Sequence, residues 1–147
     1  MKVTKIFTFD AGHRLSNYEG KCKHLHGHTY TLEITVEGNL DNTGMVMDFG
    51  ELKRIFNELI DPKFDHKFML NRDDPENQSE FDEAGKGGHY RWFYDSVCWV
   101  GYNPAAENIA TDIFAMFKNG LLNLQVPVEL VSVKLFETPT SFAEITL

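Results

Sequence analysis

Hydrophobic and polar positions alternate in two stretches near the N-terminus. Residues 3–13 are mostly apolar at the odd positions, and His13 continues that parity. Residues 28–37, with the sequence HTYTLEITVE, alternate more strictly. One of their faces carries His28, Tyr30, Leu32, Ile34 and Val36. A period of two residues is typical of strands with one buried face. The pattern therefore predicts two N-terminal strands joined by residues 14–27.

A helical period begins at Asp48. This residue is a favourable N-cap, and Glu51 three positions later completes a pattern like the capping box. The apolar stripe expected to face the core consists of Phe49, Leu52, Ile55, Phe56 and Leu59. Asp61-Pro62 is expected to end this helix, because a residue that precedes proline disfavours the helical conformation.

A second helix is predicted to begin at Asn103-Pro104, where a capping residue precedes a proline suited to the first turn. Its expected buried face consists of Ile109, Ile113, Met116 and Phe117. Asn119-Gly120 is the predicted end, since glycine adopts the left-handed conformation that closes many helices.

The C-terminal part of the chain predicts two more strands, at residues 128–137 and 141–147. Residues 71–102 have no clear period and change from acidic through glycine-rich to aromatic. Segments of this length without regular structure are usually functional or disordered. Within it, Val97–Val100 is expected as a short extra strand. The predicted order is thus two strands and a helix, an insertion, then a helix and two strands, which is an α+β arrangement.

The composition fits one compact domain, since the chain has 147 residues, of which 42% are hydrophobic and 24% charged. No apolar run approaches the ~20 residues of a membrane helix, and the alternating N-terminus is unlike a secretory signal. We therefore expect a cytoplasmic protein without a membrane partner. The formal net charge of −8 argues against nucleic acid as a partner, because binding that polyanion requires a basic surface.

The two cysteines, Cys22 and Cys98, are too few for a disulfide framework. Cys98 lies in the apolar run VCWV and is expected to be a small buried hydrophobe. Cys22 lies beside Lys21, Lys23 and His24, and positive neighbours favour a thiolate.

The segment CKHLHGH at residues 22–28 concentrates histidines. His26 and His28 are two positions apart, so both project from one face if the strand begins by His26. An antiparallel hairpin would bring His13 close to this pair. Three imidazoles suit zinc and leave its fourth position for substrate or water. The ordinary alternative for each histidine alone is a hydrogen-bonded core residue.

The role of Cys22 stays open at this point. It could close the zinc site as a fourth ligand, which would make the protein a non-catalytic zinc-binding module. It could instead be a catalytic thiol beside an open metal site. Spacing alone does not separate these two functions.

Another metal-binding family gives a similar signal. Gly20, His26, His28 and Glu33 nearly match the first metal motif of cupin dioxygenases and isomerases. Two observations argue against this family. The odd offset from His28 to Glu33 places them on opposite faces of a regular strand, and the chain has no second cupin motif, Pro-x-Gly-x-x-His.

Six ordered stretches resemble the 6-pyruvoyltetrahydropterin synthase / 6-carboxytetrahydropterin synthase (QueD) family. They are FDAGHRL at 9–15, CKHLHGH at 22–28, TGMVMDFGELK at 43–53, FDHKFMLN at 64–71, NPAAENIA at 103–110 and FETPTSFAE at 136–144. The resemblance covers nearly the whole chain as a single domain. It implies a tunnelling fold (T-fold), a four-stranded antiparallel sheet with two helices on one face in the order ββααββ. It also implies a homohexamer of two stacked rings, with active sites between subunits.

The resemblance implies a zinc enzyme that acts on a small-molecule pterin. It assigns the zinc ligands to His13, His26 and His28. It assigns the catalytic thiol to Cys22.

The remaining site residues implied by the resemblance lie later in the chain. Asp65 and His66 match a second proton-transfer pair, in which the carboxylate orients the imidazole. Glu137 matches the acidic residue that anchors the pterin ring, and Glu107 matches a further acidic position of the site. The 71–102 segment departs from the family pattern, because it is longer and more aromatic.

The spacing around the thiol distinguishes members of this family. Lys23, His24 and Leu25 separate Cys22 from the His-Gly-His motif. This spacing resembles the 6-carboxytetrahydropterin synthases of queuosine biosynthesis, whereas the pyruvoyl enzymes more often have five intervening residues. A third subgroup has Glu in place of the thiol. The resemblance therefore favours conversion of 7,8-dihydroneopterin triphosphate to 6-carboxy-5,6,7,8-tetrahydropterin, acetaldehyde and triphosphate. A 6-pyruvoyltetrahydropterin synthase is the alternative.

Overall fold

The computed structural model describes residues 1–82 and 95–147, and its centre is one mixed β-sheet. Its strands are β1 (Lys2–His13), β2 (His26–Gly38), β3 (Lys67–Asn71), β4 (Val97–Val100), β5 (Val128–Thr138) and β6 (Ser141–Thr146). Their spatial order is β4-β3-β1-β2-β5-β6. β1, β2, β5 and β6 pair antiparallel, whereas β3 and β4 continue the sheet in parallel beyond β1.

The four antiparallel strands are those that the sequence predicts. The sheet of the described residues has six strands rather than four, because β3 and β4 extend it. β4 is the short extra strand expected at Val97–Val100. β3 is unpredicted: its five residues, KFMLN, are too few to show a period, and its pairing with β1 involves residues far away in the sequence.

Within residues 1–82 and 95–147, four helices connect or cover the strands. They are α1 (Phe49–Ile55), α2 (Asp61–Phe64), α3 (Pro75–Asn77) and α4 (Ala106–Leu124), and π-helical turns at Phe56–Ile60 and Gln78–Asp82 follow α1 and α3. Of the predicted insertion, residues 83–94 lie outside the described part of the chain. Among residues 1–82 and 95–147, none of the helices combines the length and the hydrophobicity that a transmembrane span requires.

The first helix begins where predicted but differs from its prediction at its C-terminal end and in its buried face. Asp48 is the N-cap as predicted, and its carboxylate accepts a hydrogen bond from the Gly50 N–H. The predicted end at Asp61-Pro62 is wrong, because Pro62 takes an early position in α2, where a missing N–H is tolerated. Phe49, predicted to be buried, is 45% exposed. The buried positions are Leu52, Ile55, Phe56 and Ile60.

The helix α4 is shifted towards the C-terminus relative to its prediction. It begins two residues after Pro104 and continues past Gly120 to a left-handed cap at Gln125. Gly120 does not cap the helix, because it lies at a close contact with α1. A Cβ atom there would lie 2.8 Å from Cγ2 of Ile55.

The helices α1, α2 and α4 pack on one face of the sheet, as expected. The Phe7 ring on β1 stacks on Phe56, with centroids 4.4 Å apart, and lies 6.2 Å from the Phe117 ring of α4. Each fully buried side chain of this size stabilises the fold by about 1.5–3 kcal/mol. Cys98, on β4, is half-buried rather than fully buried, and burial raises the pKa of its thiol.

Candidate active site

The β1–β2 hairpin brings three histidines together at its open end. His13 pairs with His26 in the antiparallel register, and His28 lies opposite Ala11. One metal-binding nitrogen of each ring lies within 4.8 Å of the others. Because every second residue of a strand faces the same way, the parity that buries Phe9 also directs these histidines towards one point.

Gly27 on β2 allows this strand to lie close to β1 between the histidines. A Cβ atom at Gly27 would lie 3.2 Å from the carbonyl oxygen of Ala11 on β1. That separation is tight for a side chain, so the glycine of His-Gly-His keeps the two strands in register between the histidines that flank it.

Backbone carbonyls orient two of the rings. Nδ1 of His13 lies 2.7 Å from the Pro104 carbonyl, and Nδ1 of His26 lies 2.7 Å from the His24 carbonyl. A carbonyl only accepts, so both Nδ1 atoms carry the proton in the neutral rings and both Nε2 atoms present lone pairs. This arrangement is characteristic of metal-binding histidines. The His24 side chain itself is exposed, as expected for a loop residue.

The electrostatics of the cluster favour a bound cation. The Nε2 atoms of His13 and His26 are 3.1 Å apart, and two lone pairs at that distance repel unless a proton or a metal ion lies between them. Nε2 of His28 is buried without a hydrogen-bond partner among the described residues. Burial lowers the pKa values of His13 and His28, which favours the neutral form that binds metals. The three residues therefore fit zinc.

Glu137 approaches this cluster from β5. Its Oε1 atom lies 3.4 Å from Nε2 of His13 and 3.8 Å from Nε2 of His28. Its side chain is 25% exposed, so the carboxylate can still receive hydrogen bonds from a bound molecule. The family resemblance implies ring binding for Glu137, whereas its contact with the histidines is evident only in the tertiary structure.

Cys22, Glu107 and Glu137 line one cavity of about 270 Å³. Cys22 lies in a 3-10 turn, Lys21–Lys23, and Glu107 lies in the first turn of α4. Tyr18 and Phe142 also line the cavity, although neither belongs to the predicted site residues. The cavity combines acceptors for N–H groups with aromatic surface, which suits a planar, donor-rich ring. Cys22 is not among the three residues whose ligand atoms converge.

Asp65 and His66 form a second titratable pair. Nδ1 of His66 lies 2.6 Å from Oδ2 of Asp65. The carboxylate raises the pKa of His66 by this hydrogen bond and by its charge. Burial raises the pKa of Asp65, but hydrogen bonds from the Asp10 N–H and from His66 outweigh it, so the net pKa is lowered.

The position of His66 relates this pair to the histidine cluster. Its φ angle is +56°, an unusual conformation for a residue other than glycine. The backbone N–H of His66 donates to the Asp10 carbonyl at 2.7 Å, which ties this turn to β1. His66 lines a cavity of about 580 Å³ together with His26 and His28. Of the predicted site residues, His13, His26 and His28 form the cluster, Cys22, Glu107 and Glu137 line one cavity, and His66 lines the other. Asp65 lines neither cavity and reaches the site through its hydrogen bond to His66.

Comparison with known proteins agrees with the fold and the motifs. The sequence model of the family described as 6-pyruvoyl tetrahydropterin synthase matches residues 2–147. The 6-carboxy-5,6,7,8-tetrahydropterin synthase of Rickettsia conorii is 37% identical over 149 residues and 99% of both chains. The enzyme of the same name from Haemophilus influenzae is 35% identical, over 97% of this chain and 96% of its own.

Two solved structures have the same fold. An uncharacterized protein of Wolinella succinogenes superposes with a TM-score of 0.86 at 26% identity, covering 99% of this chain and 97% of that one. The 6-pyruvoyl tetrahydropterin synthase of Caenorhabditis elegans gives a TM-score of 0.70 at 24% identity, covering 99% and 94%. The full-length family match and the identities of its relatives show that this chain belongs to the 6-pyruvoyl tetrahydropterin synthase family.

Proposed function

We propose that this protein is a zinc-dependent 6-carboxy-5,6,7,8-tetrahydropterin synthase. Its substrates are 7,8-dihydroneopterin triphosphate and water, and its products are the carboxylated tetrahydropterin, acetaldehyde and triphosphate. The observation that carries the proposal is the convergence of His13, His26 and His28 beside a cavity lined by Cys22 and Glu137. The names of the relatives at 35–37% identity support this product.

The cavity lined by Cys22, Glu107 and Glu137 is the proposed pterin site. A carboxylate accepts two hydrogen bonds from neighbouring N–H groups of one planar edge, which is the pattern of the pterin amino and imide groups. Glu137 is the proposed anchor, because it lies between the cavity and the histidine cluster. Glu107 lines the same cavity and contributes less to ring binding. The ring therefore lies with its side chain directed towards the three histidines.

The proposed proton transfers use groups on both sides of the cluster. Bound zinc would act as a Lewis acid that lowers the pKa of a coordinated hydroxyl and acidifies the adjacent carbon. Cys22, as a thiolate, removes a proton from the substrate side chain. His66, oriented by Asp65, carries the second proton. His66 is 78% exposed in the single chain, which agrees with a site that a neighbouring subunit completes in a homohexamer.

The product distinguishes this enzyme from a 6-pyruvoyltetrahydropterin synthase. The three residues between Cys22 and His26 support the carboxy product and a role in queuosine biosynthesis. The test is to incubate the zinc-loaded protein with dihydroneopterin triphosphate and to identify the pterin and acetaldehyde by mass. Formation of the pyruvoyl compound without acetaldehyde would replace the proposed activity with the alternative one.

A non-catalytic zinc-binding module is the alternative from another class. It requires Cys22 to be a fourth zinc ligand. X-ray absorption spectroscopy of the resting zinc protein separates the two functions: a zinc shell of nitrogen and oxygen atoms supports the enzyme, whereas one sulfur ligand supports the module.

A further inference from the structure

The buried arginine that follows His13 is held by the first part of the insertion. Arg14 is 9% exposed. Its Nε donates to Oδ1 of Asn77 at 2.6 Å and its Nη1 donates to Oε2 of Glu80 at 3.0 Å. Oε2 of Glu76 lies 3.3 Å from Nη2. A buried guanidinium is tolerated only where acceptors match its N–H groups and its charge, so this cluster is a specific packing arrangement.

Asn77 links two strands of the candidate site. It is fully buried, and its Nδ2 donates to the carbonyl of Asn71 at 3.0 Å while its Oδ1 accepts from Arg14. Asn71 ends β3, the strand that directly follows His66. One side-chain amide therefore joins the end of β3 to the end of β1, where His13 lies.

The same region holds the connector between β1 and β2, residues 14–25, which carries Cys22. The Leu15 N–H donates to the Cys22 carbonyl at 2.8 Å. Asn103 makes two bonds to Ser16: its Oδ1 accepts from the Ser16 N–H at 2.8 Å, and its Nδ2 donates to the Ser16 carbonyl at 3.1 Å. The backbone of Cys22 is therefore one hydrogen bond away from the residue next to Arg14.

We propose that Arg14 and Asn77 are positioning residues, which hold the connector and its Cys22 against the histidine cluster. The first part of the insertion, residues 71–80, is then a structural component of the active site. This inference rests on the proposed function, in which Cys22 is the general base. Only then does a displacement of Cys22 lower the turnover rate. Loss of the Asn77 amide leaves a buried N–H of Arg14 unsatisfied, so the guanidinium moves towards water and displaces the connector.

The experiment compares Asn77→Ala with the wild type. In a Cys98→Ala background, the rate of alkylation by iodoacetamide reports the environment of Cys22 alone. We expect this rate to change at least ~threefold, because thiol reactivity follows access and local charge. We expect kcat to fall at least ~10-fold with little change in KM, since a displacement of about 1 Å can cost 10²-fold in rate. Zinc content stays stoichiometric.

Asp112→Asn is the matched control. It removes a partly buried ion pair, in which Nζ of Lys63 lies 2.6 Å from Oδ2 of Asp112. This variant should lower the melting temperature without changing kcat or the Cys22 alkylation rate. A merely structural role for Asn77 predicts the same behaviour as Asp112→Asn.

The alkylation rate decides the inference. Wild-type alkylation in a folded, zinc-loaded Asn77→Ala protein would overturn it. If that variant does not fold, Arg14→Lys takes its place, because lysine keeps the charge but loses the planar set of donors. Absence of turnover in the wild type would reject the proposed function, whereas the alkylation comparison would still test the position of the connector.

Discussion

Oε1 of Glu137 lies 3.4 Å from Nε2 of His13. The two residues are more than a hundred positions apart in the sequence, and β2 lies between their strands in the sheet. The contact places the proposed ring anchor directly beside the proposed metal ligands. A substrate bound by Glu137 therefore has its reacting side chain within reach of the histidine cluster, which makes Glu137 the most informative residue to change.

Glu137→Gln is expected to weaken pterin binding at least ~10-fold, which corresponds to ~1.4 kcal/mol. A glutamine cannot accept two hydrogen bonds from one donor edge, because one of its two terminal atoms is itself a donor. Fluorescence titration with a non-reactive pterin measures the affinity. Zinc content and folding are expected to be unchanged.

Glu107→Gln is the control for this comparison, since Glu107 lines the same cavity from α4. It should weaken binding less than Glu137→Gln does. Wild-type affinity in Glu137→Gln would show that the ring is held elsewhere.

Replacement of either histidine of the His-Gly-His motif is expected to remove zinc and activity together. His26→Ala and His28→Ala each leave two ring nitrogens, too few for an open three-ligand site. Metal analysis of the purified variants, paired with product formation, measures both effects. Full turnover by a verified zinc-free variant would contradict this prediction. His24→Ala is the matched control, because the His24 ring is exposed and only its carbonyl contacts His26.

Cys22→Ala is expected to keep zinc and to lose at least ~10²-fold in kcat, the usual contribution of a general base. The reason is that Cys22 does not belong to the group of converging ligand atoms. Cys98→Ala should leave zinc content and kcat unchanged. Cys98 lies on β4, an edge strand of the sheet that β3 separates from the β1–β2 hairpin. Loss of zinc in proportion to activity in Cys22→Ala would support the non-catalytic module instead.

Asp65→Asn is expected to lower the pKa of His66. In the folded protein the hydrogen bond and charge of Asp65 raise that pKa above 6.5, and Asp10 and Asp61 add smaller contributions of the same sign. The stability contributed by the raised His66 pKa is complete below pH ~6.5, the ordinary pKa, and is lost as the pH rises through the raised value. The lowered pKa of Asp65 sets the acidic limit, because its contribution is present above the ordinary pKa of ~3.9 and is lost as the pH falls through the lowered value. NMR titration of the His66 ring measures the shift.

Asp61→Asn provides the comparison for His66, because Asp61 acts on that ring only through its charge. Its effect on the titration should be smaller than that of Asp65→Asn. An unchanged His66 titration in Asp65→Asn would refute the proposed orientation of the ring, and a kcat within twofold of wild type would argue against proton transfer by the pair.

The sequence alone determined the long hairpin and which of its faces is buried. The strict alternation in β2 places four apolar side chains on one face of the strand, which predicts that this face is buried. All four are fully buried: Tyr30, Leu32, Ile34 and Val36. The same parity directed His26 and His28 to one face. These predictions succeeded because a side-chain period is a local property of the backbone.

Local signals failed where tertiary contacts outweighed them. Asn119-Gly120 predicts a helix end, but Gly120 lies within α4. Because glycine has no Cβ atom, the backbone of α4 can approach the Ile55 side chain of α1 closely at this position. Asp61-Pro62 predicts a helix end, but the chain stays helical through the π-helical turn Phe56–Ile60 and into α2, where Pro62 lies in the first turn. Glycine and proline each have a second role within or at the start of a helix: Gly120 permits a close approach to Ile55, and Pro62 occupies a first-turn position, where its missing N–H is tolerated.

Only the tertiary structure decided how the distant parts of the site meet. The approach of Glu137 to His13, the placement of β3 beside β1, and the bond from Arg14 to Asn77 all join residues separated by long stretches of chain. No periodic pattern encodes such contacts. They arise because the apolar faces of the strands and helices must be buried together, and that common burial fixes where the polar ends of the strands come to lie.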